Sequence, residues 1–170
     1  MVKKKKELAS LYEEPERLNI FIMNIEALST KIGTQQATDF LFKRRCMFII
    51  DESTTIKNHI AKRTQNTVRI GKYAYYKRIL TGSPVTKSPL DLYSQSYFLD
   101  PSLLGFSSYF AFRNRYANLI DKTLGNGRNF KQIVGYKNLE ELNEKLSSFS
   151  YRVLKKDCLE LPDKVYLKRT

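Results

Sequence analysis

Asp51 and Glu52 stand side by side at the end of the apolar run Cys46-Met47-Phe48-Ile49-Ile50. Adjacent carboxylates at a strand end suit phosphoryl chemistry. One group holds Mg²⁺ through its waters, and the other orients or deprotonates an attacking water. If the strand belongs to an open parallel sheet, its carboxyl end is the rim where a nucleotide lies. A strand that simply meets a polar turn gives the same two letters, so the pair alone does not decide. The second candidate is Thr81-Gly82-Ser83-Pro84, which follows another apolar segment. Set beside the acids, its hydroxyls would relay the state of a phosphate site; taken alone, the four residues are ordinary turn formers.

Such chemistry needs elements that bring the two segments together. Asn19 to Ile25 and Cys46 to Ile50 read as strands, with Thr34 to Arg44 as a helix between them. Lys57 to Ile70 reads as a second helix ended by Gly71, and Tyr76 to Leu80 as a third strand. This alternation predicts an α/β fold with a mainly parallel sheet flanked by helices. After Pro89 the pattern turns helical, over Leu90 to Leu99 and Ser107 to Ile120, with Gly125 to Gly127 as a loop. Asn138 and Glu141 have capping-box spacing and open a helix running to about Phe149. Tyr109, Phe110, Phe112, Tyr116 and Ile120 read as core in preference to a base-stacking platform.

Composition narrows the partners. The 170 residues carry 30 Lys and Arg against 17 Asp and Glu, a net charge of +13. From Ser53 to Leu90 there are eight basic residues and no acid. A polyanion such as nucleic acid fits that excess, and so does a solvated basic face. Lys3 to Lys6 serve equally as a nuclear address or as a solvated turn, given the acids that follow. No apolar stretch is long enough for a membrane span, and the acids after the lysines do not fit a signal peptide, so an intracellular protein with no membrane partner is expected. Cys46, Cys158 and the single His59 cannot build a clustered zinc site, and both thiols read as reduced.

The order of segments resembles the Swi/Snf-type, DNA-dependent ATPases of helicase superfamily two. Asp51-Glu52-Ser53-Thr54-Thr55-Ile56-Lys57-Asn58 is similar to their motif II, Asp-Glu-x-His followed shortly by Lys-Asn. Arg78-Ile79-Leu80-Thr81-Gly82-Ser83-Pro84, continuing through Ser88-Pro89-Leu90-Asp91-Leu92-Tyr93 to Phe98-Leu99-Asp100-Pro101, is similar to their motif III and the helix behind it. Ile22 to Leu28 is similar to the strand before motif II. Tyr151 to Asp157 with Leu161-Pro162-Asp163-Lys164 resembles the hand-over to the second lobe. The likeness covers about residues 19 to 168.

This resemblance implies a partial RecA-like, P-loop NTPase lobe with a helical C-terminal part. The expected division is an N-terminal segment 1–18, a RecA-like portion 19–100, a mostly helical extension 101–150 and an inter-lobe linker from 151–170. It further implies ATP and Mg²⁺ as cofactors, Asp51 as the metal-binding acid and Glu52 as general base. Thr81, Gly82 and Ser83 would form a coupling turn. Double-stranded DNA is the implied partner, with Lys57, Asn58, Lys87, Arg152 and Lys155 as weaker candidate contacts, in a nuclear or nucleoid-associated setting. Two departures stand out. No G-x-x-x-x-G-K-[ST] occurs in these residues, and Thr54 takes the usual histidine position, where it could still hydrogen-bond Thr81 or Ser83. The phosphate loop and second lobe must then come in cis or in trans, and the chain alone is expected not to hydrolyse ATP. A stand-alone basic DNA-binding module and one subunit of a split ATPase are the rival readings.

Overall fold

The computed structural model describes residues 18–125 and 127–154. A 3₁₀ turn at Ile25–Ser29 leads into helix α1 (Lys31–Lys43), whose first turn is capped by Thr30 Oγ1, accepting from the Gly33 N–H at 3.0 Å. Strand β1 (Met47–Ile50), a 3₁₀ turn at Ser53–Ile56, helix α2 (Lys62–Gly71) and strand β2 (Tyr76–Ile79) follow. The two strands pair in parallel, Met47 opposite Tyr76 through Ile50 opposite Ile79. Helix α2 is polar by composition but buries Thr64, Thr67 and Ile70, one face at helical spacing.

Beyond a 3₁₀ turn at Pro89–Asp91 come helix α3 (Leu92–Leu99) and helix α4 (Tyr109–Tyr116). Strands β3 (Ala117–Thr123) and β4 (Asn129–Tyr136) form an antiparallel hairpin, and helix α5 (Leu139–Ser147) closes the described chain. One apolar cluster, including Leu28, Phe40, Leu41 and Ile70, joins α1 and α2 to the first turn. A second, Ile50, Ile56 and Phe98, locks β1 to α3, with the Phe48 ring edge-on to Phe98 at 5.2 Å. The third, including Tyr93, Phe112, Tyr116 and Leu142, fills the C-terminal part.

The expected α/β class holds, a parallel pair with helices and a partial RecA-like lobe in outline. Four elements differ in detail. Residues 19–24 alternate as a strand would, with Phe21 and Met23 packed inward, yet they join no ladder among the described residues. The strand–helix–strand unit is therefore β1–α2–β2. The helix expected from Lys57 starts at Lys62 because Asn58 Oδ1 accepts from the Ile60 N–H at 3.2 Å and holds a turn there. The helix expected through Ile120 stops at Tyr116, where Ala117 begins to pair with Tyr136, so 101–150 contains a hairpin between its helices. At α5 the capping box does not form: Asn138 is left-handed (φ 54°) and its Nδ2 donates to the Arg115 carbonyl at 2.8 Å.

The expected linker lies outside the described residues from Lys155 onward, as do Cys158 and Lys3 to Lys6. Cys46 is a free, buried thiol whose burial raises its pKa, and Phe112 and Tyr116 are core as expected, whereas Phe110 and Ile120 are 60% and 42% exposed, the latter because it lies on the β3–β4 hairpin.

Candidate functional site

Parallel pairing sets the site. Leu80 N–H donates to the Ile50 carbonyl at 2.8 Å and Ser53 N–H to the Leu80 carbonyl at 3.0 Å, carrying the ladder past both strands. Asp51 and Glu52 therefore leave β1 beside the start of the 81–87 loop. Both are exposed, and neither forms an ion pair among the described residues. Glu52 adopts a left-handed backbone (φ 50°, ψ 59°), a conformation uncommon for a side chain other than glycine and often found where a chain must turn sharply at a site. Asp51 Oδ1 accepts from the Glu52 N–H at 3.0 Å, which steadies that turn.

The loop after β2 is held from two directions. Asp91 Oδ2 accepts from the Thr86 and Lys87 N–H groups at 3.1 and 3.0 Å and from the Thr86 hydroxyl at 2.9 Å. Burial opposes the Asp91 charge. The Lys87 and Thr86 donors, with Lys57 nearby, nonetheless hold its carboxyl below the usual range. Lys57 Nζ donates to Thr86 Oγ1 and lies 3.9 Å from Asp91, so it is turned inward. Gln95, 1% exposed on α3, accepts from Ser53 Oγ at 2.6 Å and donates to the Pro84 and Asp91 carbonyls, both at 2.8 Å. Arg63 Nε donates to the Thr55 carbonyl at 2.8 Å and its guanidinium pairs with Glu26, tying the acidic turn to the first 3₁₀ turn. His59 stacks on Tyr109 at 3.7 Å, and burial together with Arg113 holds its pKa below the usual imidazole value.

Two exposed carboxylates with hard oxygen donors fit a hydrated Mg²⁺, which keeps most of its waters. Among the described residues no group of three or more His, Cys, Asp or Glu is placed to hold a metal. A groove of about 470 Å³ lies between α1 and α2, lined by Lys31, Gln35, Lys62, Asn66, Arg69 and Tyr73 among others, and includes neither acid.

The sequence profile of the SNF2-related domain matches residues 2–170. The chain belongs to the SNF2-related domain family. Curated relatives agree. The SWI/SNF-related matrix-associated actin-dependent regulator of chromatin subfamily A-like protein 1 of Drosophila melanogaster is 36% identical over 105 residues, 61% of this chain and 13% of that protein. Helicase SWR1 of Saccharomyces cerevisiae is 27% identical over 161 residues, 90% of this chain and 10% of that helicase. The TATA-binding protein-associated factor MOT1 of the same yeast is 34% identical over 119 residues, 69% of this chain and 6% of that factor. The chain thus spans roughly a tenth of the length of such relatives. No solved structure matches it significantly.

In this SNF2-related domain the structure brings Asp51, Glu52 and Thr81 into one neighbourhood through the Ile50–Leu80–Ser53 ladder. The hydroxyls of the Thr81–Ser83 turn are spent locally: Thr81 Oγ1 accepts from the Ser83 N–H at 3.2 Å and Ser83 Oγ donates to the Val85 carbonyl at 2.9 Å. Thr54 bonds to neither. Gly82 lies in open space, Lys87 and Arg152 are exposed, and Lys155 lies outside the described residues. Gln95, Arg63 and the loop-pinning role of Asp91 escaped the sequence reading. The available signal was a glutamine inside the apolar helix LYSQSYFL, a polar side chain that burial obliges to find partners.

Proposed function

We propose that this domain is the later half of the first RecA-like lobe of an ATP-driven translocase on double-stranded DNA. The observation that carries the reading is the acid pair at the carboxyl end of β1, hydrogen-bonded along its edge to the loop that follows β2. That is the rim at which parallel α/β sheets bind ligands. Asp51 would hold Mg²⁺ through water. Bound there, the cation would offset phosphate charge. Glu52 would take the proton of the attacking water, and Thr81, Gly82 and Ser83 would form the turn that senses the outcome.

The phosphate-cradling loop and the second lobe would be supplied in cis or in trans, so hydrolysis of ATP is a property of the assembled protein. Phosphate contacts by exposed Lys87 and Arg152, with Asn58 and Lys155 as further candidates, fit the net charge of +13. Lys57 serves the loop first, through Thr86. No helix among the described residues is long and apolar enough to cross a membrane. The work of such a motor lies where duplex DNA is, in a nucleus or nucleoid.

The test joins the chain to the coding sequence flanking it and measures DNA-stimulated ATP hydrolysis. Glu52→Gln should lower kcat by about 10² to 10⁴ while DNA affinity is kept. A rate unchanged by Glu52→Gln would overturn its role as base, DNA binding with no hydrolysis would mean a non-catalytic DNA-binding module, and hydrolysis that requires a second polypeptide would mean a split ATPase.

A further inference from the structure

The carboxamide of Gln95 touches three separate pieces of the molecule. Its oxygen accepts from Ser53, the first residue of the turn after the acid pair. Its nitrogen spends both N–H groups, one on the Pro84 carbonyl in the 81–87 loop and one on the Asp91 carbonyl at the start of its own helix. Those two carbonyls fix which way the amide points, because a reversed amide would aim its oxygen at both of them. Ser53 is fully buried and Gln95 is 1% exposed, so water cannot replace either bond cheaply.

We infer that Gln95 is the positioning residue that makes the acidic turn and the 81–87 loop move as one body. It does so through the Ser53 Oγ–Gln95–Pro84 chain of hydrogen bonds. The inference rests on the reading of Asp51 and Glu52 as nucleotide-facing acids, since only then is the rigid link a coupling device. Thr54 makes no bond to Thr81 or Ser83, so the connection runs one residue earlier, through Ser53. A second tie, Lys57 to Thr86 to Asp91, holds the far end of the same loop. Gln95 is the only one of these side chains that is bonded at once to the acidic turn and to the carbonyl of Pro84.

Amide hydrogen exchange of the full 170-residue chain, without nucleotide or DNA, reads this link. Gln95→Leu removes all three bonds, one of them to each of the two segments, and should speed exchange of residues 53–57 and 85–87 by about tenfold, while the β3–β4 hairpin is unchanged. Ser53→Ala removes no hydrogen bond to residues 85–87, yet should speed their exchange as well. The double variant should then be no faster there than Gln95→Leu alone. If Gln95→Leu unfolds the chain, the hairpin will exchange too and Ser53→Ala alone decides. Acceleration confined to 53–57 in Ser53→Ala, or additive effects in the double variant, would overturn the link. The measurement is blind to catalysis, so an inactive Glu52 would leave it standing as a structural bond, and its failure would leave the acids untouched.

Discussion

Tyr116 shows how one side chain can be tied by burial and charge together. It is fully buried, and its hydroxyl donates to Glu141 Oε1 at 2.9 Å. The carboxylate also accepts from Arg115 Nε at 3.0 Å and lies 3.7 Å from Lys145. Burial, and then the bond to Glu141, push the Tyr116 phenol up to about 12. The folded value lies above the unfolded one, near 10. The stabilisation is therefore complete below the unfolded value and is lost as pH rises through the folded one. Tyr116→Phe should cost about 1 kcal/mol at pH 8, from the lost hydrogen bond, and the gap to the native chain should close as pH approaches 12. Denaturant melts at several pH values measure it; a gap that stays constant into strong alkali would show that the phenol titrates normally. At this scale the placement of Asp51-Glu52 at a strand end was legible because it lies in adjacent letters. Gln95 was not, because its partners stand 42 and 11 positions away in sequence and only the fold brings them together.

Elements follow local chemistry until a longer-range pairing overrules it. Phe112, Tyr116 and Ile120 keep helical spacing, which is why the sequence reads as helix to residue 120. Yet Ile120 stands opposite Gln132, and Lys131 pairs with Asp121 at 3.1 Å across the hairpin. The turn is closed by Leu124 and Arg128, with Gly127 at φ 77°, a conformation that glycine adopts without strain. Strand preference depends on having a partner, and β4 supplies one that the sequence does not announce. The same logic in reverse leaves 19–24 without a ladder among the described residues. Element packing also makes Gly33 specific. A Cβ there would lie 2.3 Å from the Ala27 carbonyl oxygen, since α1 starts in close contact with the turn before it. Alanine in a helix gains up to ~1 kcal/mol over glycine, but the clash with backbone costs about 1–3 kcal/mol and wins. Gly33→Ala should therefore lower the urea midpoint, and a rise would mean that the turn yields easily.

For the whole molecule, charge and an uncovered sheet face matter more than any single bond. Electrostatic binding to duplex DNA should weaken with salt at a slope near −0.9 per phosphate contacted, and Lys87→Ala, which removes an exposed cation, should reduce that slope by about one contact's worth in a fluorescence titration. The basic balance was readable from composition; which cations remain available was not, since Lys57 is turned onto Thr86. The sheet face could not be foreseen either. Parallel sheets are covered on both faces in stable domains, because their strands are apolar on both sides. Here one face of β1–β2 is packed through Phe48 and Ile50, while Met47, Ile49 and Tyr76 are 50%, 53% and 59% exposed on the other. Leu80, just beyond β2, is 55% exposed. Arg78, opposite Ile49, is the one charge among these exposed side chains, and a largely apolar face of this kind favours association. The 170-residue chain by itself should therefore form concentration-dependent oligomers in sedimentation velocity runs. Ile49→Thr combined with Met47→Thr should shift it toward monomer at little cost in melting temperature, because these side chains are half exposed and lose little buried area. If flanking sequence completes the lobe as proposed, the same face should be covered there and the double substitution should instead be destabilising. A chain that is monomeric at every concentration, with or without the substitutions, would show that the face is not a packing surface at all.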